Sequence, residues 1–158
     1  MDDSLAALAW VLAGSGRKGR EEARRHLQAG ESPEPEFGEK AQRALAEAAR
    51  AGFTWYPASD PSFPEPLRAL ADPPLGLFLK GRFPTGPTVA IVGSRRASAY
   101  GREVAHYLGR ELAQAGVWVV SGMARGVDAA AHRGALEGGG LTVAVWGSGC
   151  DRVYPPEH

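Results

Sequence analysis

Cysteine is all but absent: Cys150 is the single one in 158 residues. That excludes an internal disulfide and a cysteine-based metal cluster, and a buried, inert thiol is the expected role. No apolar run approaches the roughly 20 residues that cross a bilayer, and Met1-Asp2-Asp3 lacks the basic start of a secretory signal. The chain therefore reads as cytoplasmic, with no membrane partner. Net charge is missing as well, since 18 Lys+Arg balance 18 Asp+Glu. Without a global positive field, any anion site must come from local placement. Two nucleotide signatures are also absent. No Gly-Lys-Ser/Thr of a Walker loop occurs, and Gly93 is followed by Ser94, Arg95 and Arg96 rather than by a second spaced glycine. The expected second strand of the parallel sheet ends in Ser121, where a dinucleotide site would hold a ribose with an acidic residue, so dinucleotide binding is disfavoured. No cofactor and no metal are expected.

What is present is a globular composition, 44% apolar and 23% charged, which supports a real core. Three short Ala-rich helices are predicted between Asp3 and Gly52, separated at Gly14-Ser15-Gly16 and Gly30 to Pro33 and closed by Gly52. Residues 1–52 form a small helical domain. Residues 53–87 are punctuated by prolines. Strands are expected at Phe53 to Tyr56 and Leu75 to Lys80, with a helical turn or two at Glu65 to Ala71, so this stretch reads as an ordered connector or an extra sheet edge.

From Thr88 the period alternates. Thr88 to Val92 is an apolar run expected to be a parallel strand covered on both faces, and Ser98 to Ala115 is an amphipathic helix ending at Gly116. Val117 to Val120, Gly126 to Glu137 and Leu141 to Val145 continue as strand, helix, strand. The alternation predicts an α/β fold: a Rossmann-like, doubly wound parallel sheet over 88–158, incomplete at its C-terminal end.

In such a sheet ligands bind beyond the carboxyl ends of the strands. The residues there are alike: Gly93-Ser94-Arg95-Arg96-Ala97-Ser98, then Ser121-Gly122-Met123-Ala124-Arg125-Gly126, then Gly147-Ser148-Gly149. Glycines would let an anion approach the main chain, hydroxyls would donate to phosphate, and helix N-termini would add unpaired N–H groups. With Arg95, Arg96 and Arg125 on the same rim, a phosphate-binding crevice is coherent. The plain alternative makes these loops tight turns, with Ser98 a helix cap and the arginines solvated. Asp128 and His132, four apart, share one helix face. Structural bracing is expected of both, Asp128 bonding N–H groups of the first turn and His132 holding neighbouring loops. Trp118 and Trp146 are expected inside strands as core residues, leaving Tyr100 as the base-stacking platform.

The run Val89-Ala-Ile-Val-Gly93-Ser94-Arg95, with Ser98-Ala-Tyr100-Gly101, Ser121-Gly122-Met-Ala124-Arg-Gly126-Val-Asp128, Ala131-His132 and Gly149-Cys-Asp151-Arg-Val-Tyr154-Pro155, resembles the DprA (Smf) family. Tyr56-Pro57, Pro66-Leu67-Arg68 and Asp72-Pro73-Pro74 extend the resemblance to roughly 53–158. Residues 1–52 are similar only in being a small helical domain, in this family often sterile-alpha-motif-like. The resemblance implies a non-enzymatic binder of single-stranded DNA that protects incoming strands during natural transformation and helps load the RecA recombinase. It also implies that Arg95 and Arg125 occupy the family's DNA-contacting positions. The family's pairing surface lies downstream, so its homodimer is not expected of these 158 residues alone. The competing reading is a nucleotide-processing enzyme, phosphoribohydrolase-like, on a related scaffold, whose Pro-Gly-Gly loop this chain lacks.

Overall fold

A computed structural model describes residues 2–14 and 16–149 of the chain, without the side chains of residues 16 and 17. Cys150 and the Asp151 to Pro155 part of the family resemblance lie outside the described residues. The chain divides into two compact units, residues 1–83 and 84–158.

The first unit opens with α1 (Asp3–Ala13), α2 (Gly16–Gln28) and α3 (Pro35–Arg50), then β1 (Thr54–Pro57), α4 (Glu65–Arg68) and β2 (Gly76–Leu79). Asp2 caps α1 by accepting from the Leu5 N–H at 2.7 Å. Leu8, Ala9 and Ala41 form the centre of its core, and Trp55 and Phe78 pack against them. Those two aromatics are directly paired across β1 and β2, which run antiparallel. The strands form a two-stranded sheet of their own, separate from the parallel sheet. Burying one aromatic pair against the helices supplies what an isolated hairpin lacks.

The helices are latched at a second point. Arg20 and Arg24, one turn apart on α2, both grip the Asp72 carboxylate, and Arg24 also donates to the Pro73 carbonyl at 2.5 Å. Hydrogen bonds from the two guanidinium groups hold the Asp72 carboxyl well below the usual carboxylate range.

The second unit holds a three-stranded parallel sheet in the order β3 (Thr88–Ala90), β4 (Trp118–Ser121), β5 (Thr142–Ala144). Its crossovers are α5 (Ala99–Gln114) and α6 (Val127–Glu137). Both run in the same direction across the sheet, which puts both helices on one face. Ser98 caps α5, its hydroxyl accepting from the Gly101 N–H at 3.1 Å. Gly116, at φ +77°, ends the helix: its N–H reaches the Ala113 carbonyl and the Val117 N–H the Leu112 carbonyl, a Schellman turn that leads straight into β4. Gly52 closes α3 in the same way.

The helix pair is unusually close. A methyl group on Gly134 would stand 2.0 Å from the His106 carbonyl oxygen, and one on Gly109 2.4 Å from that of Ala131. Ala113, Val119, Ala131 and Ala135 fill the buried core behind them.

The strands are shorter than their apolar runs. Among the described residues β3 stands at the edge of the sheet and its three residues are exposed, where burial on both faces was expected. α5 and α6 pack over β4 rather than over β3, and Val92 is exposed beyond the strand end. Among the described residues no helix is long and apolar enough to cross a membrane.

The Asp72 latch carries a pH signature. A carboxylate whose folded pKa is depressed adds stability that is complete above its unfolded value of about 3.9 and is lost as pH falls below it. Asp72→Asn should therefore lower the thermal midpoint at neutral pH and flatten its decline below about pH 4, read by circular dichroism melts across pH. An unchanged acid limb would show that the latch adds no stability.

Candidate nucleic-acid interface

The carboxyl ends of β3, β4 and β5 open on a cleft of about 470 Å³, lined by Gly93, Arg95, Gly122, Asp128, Trp146 and Gly147 among others. The β3–α5 and β4–α6 loops that form much of it are clasped together. Gly126 adopts φ +84°, and any Cβ there would stand 2.2 Å from the Ser94 carbonyl oxygen. That same carbonyl accepts from the Val127 N–H at 3.2 Å. A Cβ on Gly93 would likewise meet the Val127 side chain at 2.9 Å. These two glycines serve loop-to-loop contact, whereas at Gly147 nothing among the described residues lies within 4 Å of a Cβ position.

Behind the clasp, the β4–α6 loop makes an anion nest and fills it internally. The Gly122 and Ala124 N–H groups donate to one oxygen of Asp128, at 3.2 and 3.4 Å, around Met123 at φ +55°. Asp128 is 6% exposed. It thus binds N–H groups of the loop before its helix, not those of the first helical turn. His132 sits deeper. Its Nε2 accepts from the Met123 N–H at 3.3 Å, and its Nδ1 lies 2.7 Å from the Thr142 hydroxyl, which itself donates to the Val119 carbonyl. That hydroxyl's proton is committed, so Nδ1 carries the hydrogen and the ring is the neutral Nδ1–H tautomer. Both side chains are consumed in holding α6 and its loop to the sheet.

The remaining candidates divide by position. Arg95, Arg96 and Arg125 are exposed. Ser94 accepts from the Arg96 N–H at 3.1 Å, fixing the turn that presents both arginines. Ser98 is spent as the α5 cap. Ser121 faces inward: it is 3% exposed and donates to the Ile91 carbonyl at 2.6 Å, bracing β4 against β3 where a phosphate donor was expected. Tyr100 is 75% exposed on the first turn of α5 and is not a wall of the cleft. Trp118 is buried in β4, as a core residue should be. Trp146 departs from expectation, because β5 ends at Ala144 and the indole, half-buried, becomes a wall of the cleft. The apolar run Leu141 to Trp146 concealed this, since hydropathy does not mark where a strand stops pairing. Among the described residues no group of three or more His, Cys, Asp or Glu is placed to hold a metal.

The sequence pattern of the family described as DNA recombination-mediator protein A matches residues 54–158. The chain belongs to that family. Its members include the DNA processing protein DprA of Bacillus subtilis, 34% identical over 126 residues, covering 78% of this chain and 42% of that protein. The Smf protein of Escherichia coli is 38% identical over 104 residues, covering 65% of this chain and 28% of that protein. The chain therefore spans less than half the length of these curated relatives. Among solved structures, DprA of Streptococcus pneumoniae superposes with a TM-score of 0.62 at 26% identity, covering 99% of this chain and 56% of that one. DprA of Helicobacter pylori, solved for its single-stranded DNA binding mode, superposes with a TM-score of 0.56 at 32% identity, covering 68% and 49%. The helical start and the parallel sheet are thus those of the family fold.

The clasp predicts opposite outcomes for two glycines. Gly126→Ala should destabilise the chain by more than the roughly 1–3 kcal/mol of a strained backbone, because a clash with Ser94 adds to it. Gly147→Ala should stay within about 0.5 kcal/mol. Guanidinium denaturation checks both, and equal midpoints for the two variants would contradict the clasp.

Proposed function

We propose that this protein binds single-stranded DNA along the strand-end lip of residues 84–149, through phosphate contacts and without base readout. Its role in that reading is to protect incoming strands during natural transformation and to help load the RecA recombinase. It acts as a binder and not as an enzyme. The observation that carries the proposal is the exposed Arg95–Arg96 pair, presented by the Ser94 turn beside the cleft, with Arg125 exposed on the loop clasped against it. Membership in the family and the single-stranded DNA binding of the Helicobacter pylori relative support the choice of ligand. RecA loading, cytoplasmic residence and a homodimer belong to the reading of the whole family protein, of which this chain spans a part. The enzymatic alternative is disfavoured because Asp128 and His132, the acid–base pair near the cleft among the described residues, already hold structural hydrogen bonds.

Phosphate recognition has a salt signature. Each phosphate neutralised on a single strand contributes about −0.7 to the slope of log affinity against log salt. Arg95→Ala should weaken binding to all base sequences alike and make the slope shallower by about one contact's worth, and Arg125→Ala should do the same. Arg43→Ala, on α3 in the other unit, serves as control and should change little. Titrations of fluorescent oligonucleotides at several salt concentrations measure all three. If the Arg95 and Arg125 variants both bind as the parent does, the lip is the wrong surface.

A further inference from the structure

We infer that residues 1–83 carry a binding site of their own, a recess between α1, α2 and the chain entering β2. It takes the C-terminal residue of a partner polypeptide, with a large apolar side chain in the recess and the α-carboxylate on Arg20. The recess holds about 150 Å³ and is lined by Trp10, Val11, Gly14, Gly19, Arg20 and Leu75 among others. A space of that size admits a benzene-sized group and lies below the roughly 300 Å³ at which cofactor pockets begin, so it fits one side chain and excludes a nucleotide.

Packing enforces the shape. A Cβ on Gly19 would stand 2.9 Å from the Gly14 carbonyl carbon, and one on Gly14 3.0 Å from the Gly19 Cα. Neither position has room for a side chain, so the floor stays bare main chain. The Trp10 indole is fixed by stacking on His26 at 4.4 Å and by donating its N–H to the Glu31 carbonyl at 3.3 Å. A preformed wall loses little entropy when a ligand enters.

Charge selects the other end of the ligand. Arg20 and Arg24 share the single carboxylate of Asp72, two positive charges against one negative. Arg20 spends its Nε and Nη2 on Asp72, and among the described residues its Nη1 donates to nothing, although the side chain is 39% exposed. Glu31, whose carbonyl Trp10 contacts, pairs its own carboxylate with His26. A surplus guanidinium beside an apolar recess asks for a carboxylate and an apolar group within one residue's reach, and a chain's C-terminal residue carries both on a single Cα. A free amino acid would add an ammonium group, which the surplus positive charge disfavours.

The test is fluorescence anisotropy of the full chain with a labelled Gly-Ser hexapeptide ending in Phe as the free acid. The same peptide amidated at its end, and an amidated peptide in which Asp follows the Phe, are compared with it. The free acid should bind at least about 10-fold tighter than the plain amide, as expected for one charged hydrogen bond. Val11→Glu, at a position 36% exposed, sets a carboxylate on the rim and should weaken the free acid by about 10-fold or more. Arg20→Lys keeps the charge without the fork and should narrow the preference for acid over amide. Leu136→Glu, exposed on α6 in the other unit, should change nothing. Circular dichroism melts establish that each variant is folded, and the parent's own three-peptide comparison needs no variant. The inference is overturned if the parent binds none of the peptides with a Kd below about 1 mM. It is equally overturned if acid and plain amide bind alike, or if folded Val11→Glu binds as the parent does. An amidated Phe-Asp peptide that binds as tightly as the free acid would overturn it in favour of an internal acidic segment.

Discussion

The contact between Gly126 and the Ser94 carbonyl is the constraint on which the rest of the lip depends. A backbone without a side chain at 126 lets the β4–α6 loop lie directly against the β3–α5 loop, and no other residue type leaves that space. The close approach of α5 and α6 through Gly109 and Gly134 works toward the same end, since it fixes where α6 begins. From that start Asp128 reaches back to the Gly122 and Ala124 N–H groups, and His132 reaches the Met123 N–H and Thr142. Backbone contact, a filled nest and a tautomer-locked imidazole thus determine a single loop geometry. Rigid loops present charge at less entropic cost than mobile ones.

The electrostatic consequence is that the cationic part of the site lies on its rim. The Gly122 and Ala124 N–H groups, of a kind that a Rossmann-like sheet would ordinarily offer to phosphate, are used internally here, and the Ser121 hydroxyl is turned into the sheet. Exposed on the rim are the guanidinium groups of Arg95, Arg96 and Arg125. A chain with no net charge can hold a phosphate backbone this way, because guanidinium groups act over a Debye length of about 10 Å rather than across the whole molecule.

Much of the fold was legible because its punctuation is local. Gly52 and Gly116 end helices where a left-handed residue is needed, Ser98 begins one, and the alternation of strand and helix from Thr88 specifies parallel pairing. The arginines beside the strand ends were legible for the same reason. Other features depend on partners distant in sequence. The Arg20–Asp72 latch joins residues 52 apart, and Trp55 meets Phe78 across a hairpin with a long connection. No short-range pattern signals either one. Ser121 and the loop glycines suggest ligand-facing positions by type alone, although their residue types fit both roles. Only geometry separates a glycine that admits a phosphate from one that admits another loop. Trp146 suggests a core residue by sequence, because an apolar run carries no mark of where its hydrogen-bond ladder ends.

In the proposed binding mode a DNA strand lies across the strand-end lip of residues 84–149. Hydrogen–deuterium exchange of the full chain, with and without saturating oligothymidylate, reads this contact out along the sequence. Slowed exchange is expected in peptides covering residues 93–96 and 145–148, with peptides of α1 to α3 unchanged. Protection confined to residues 1–83, with the two lip segments exchanging as in the free protein, would contradict it.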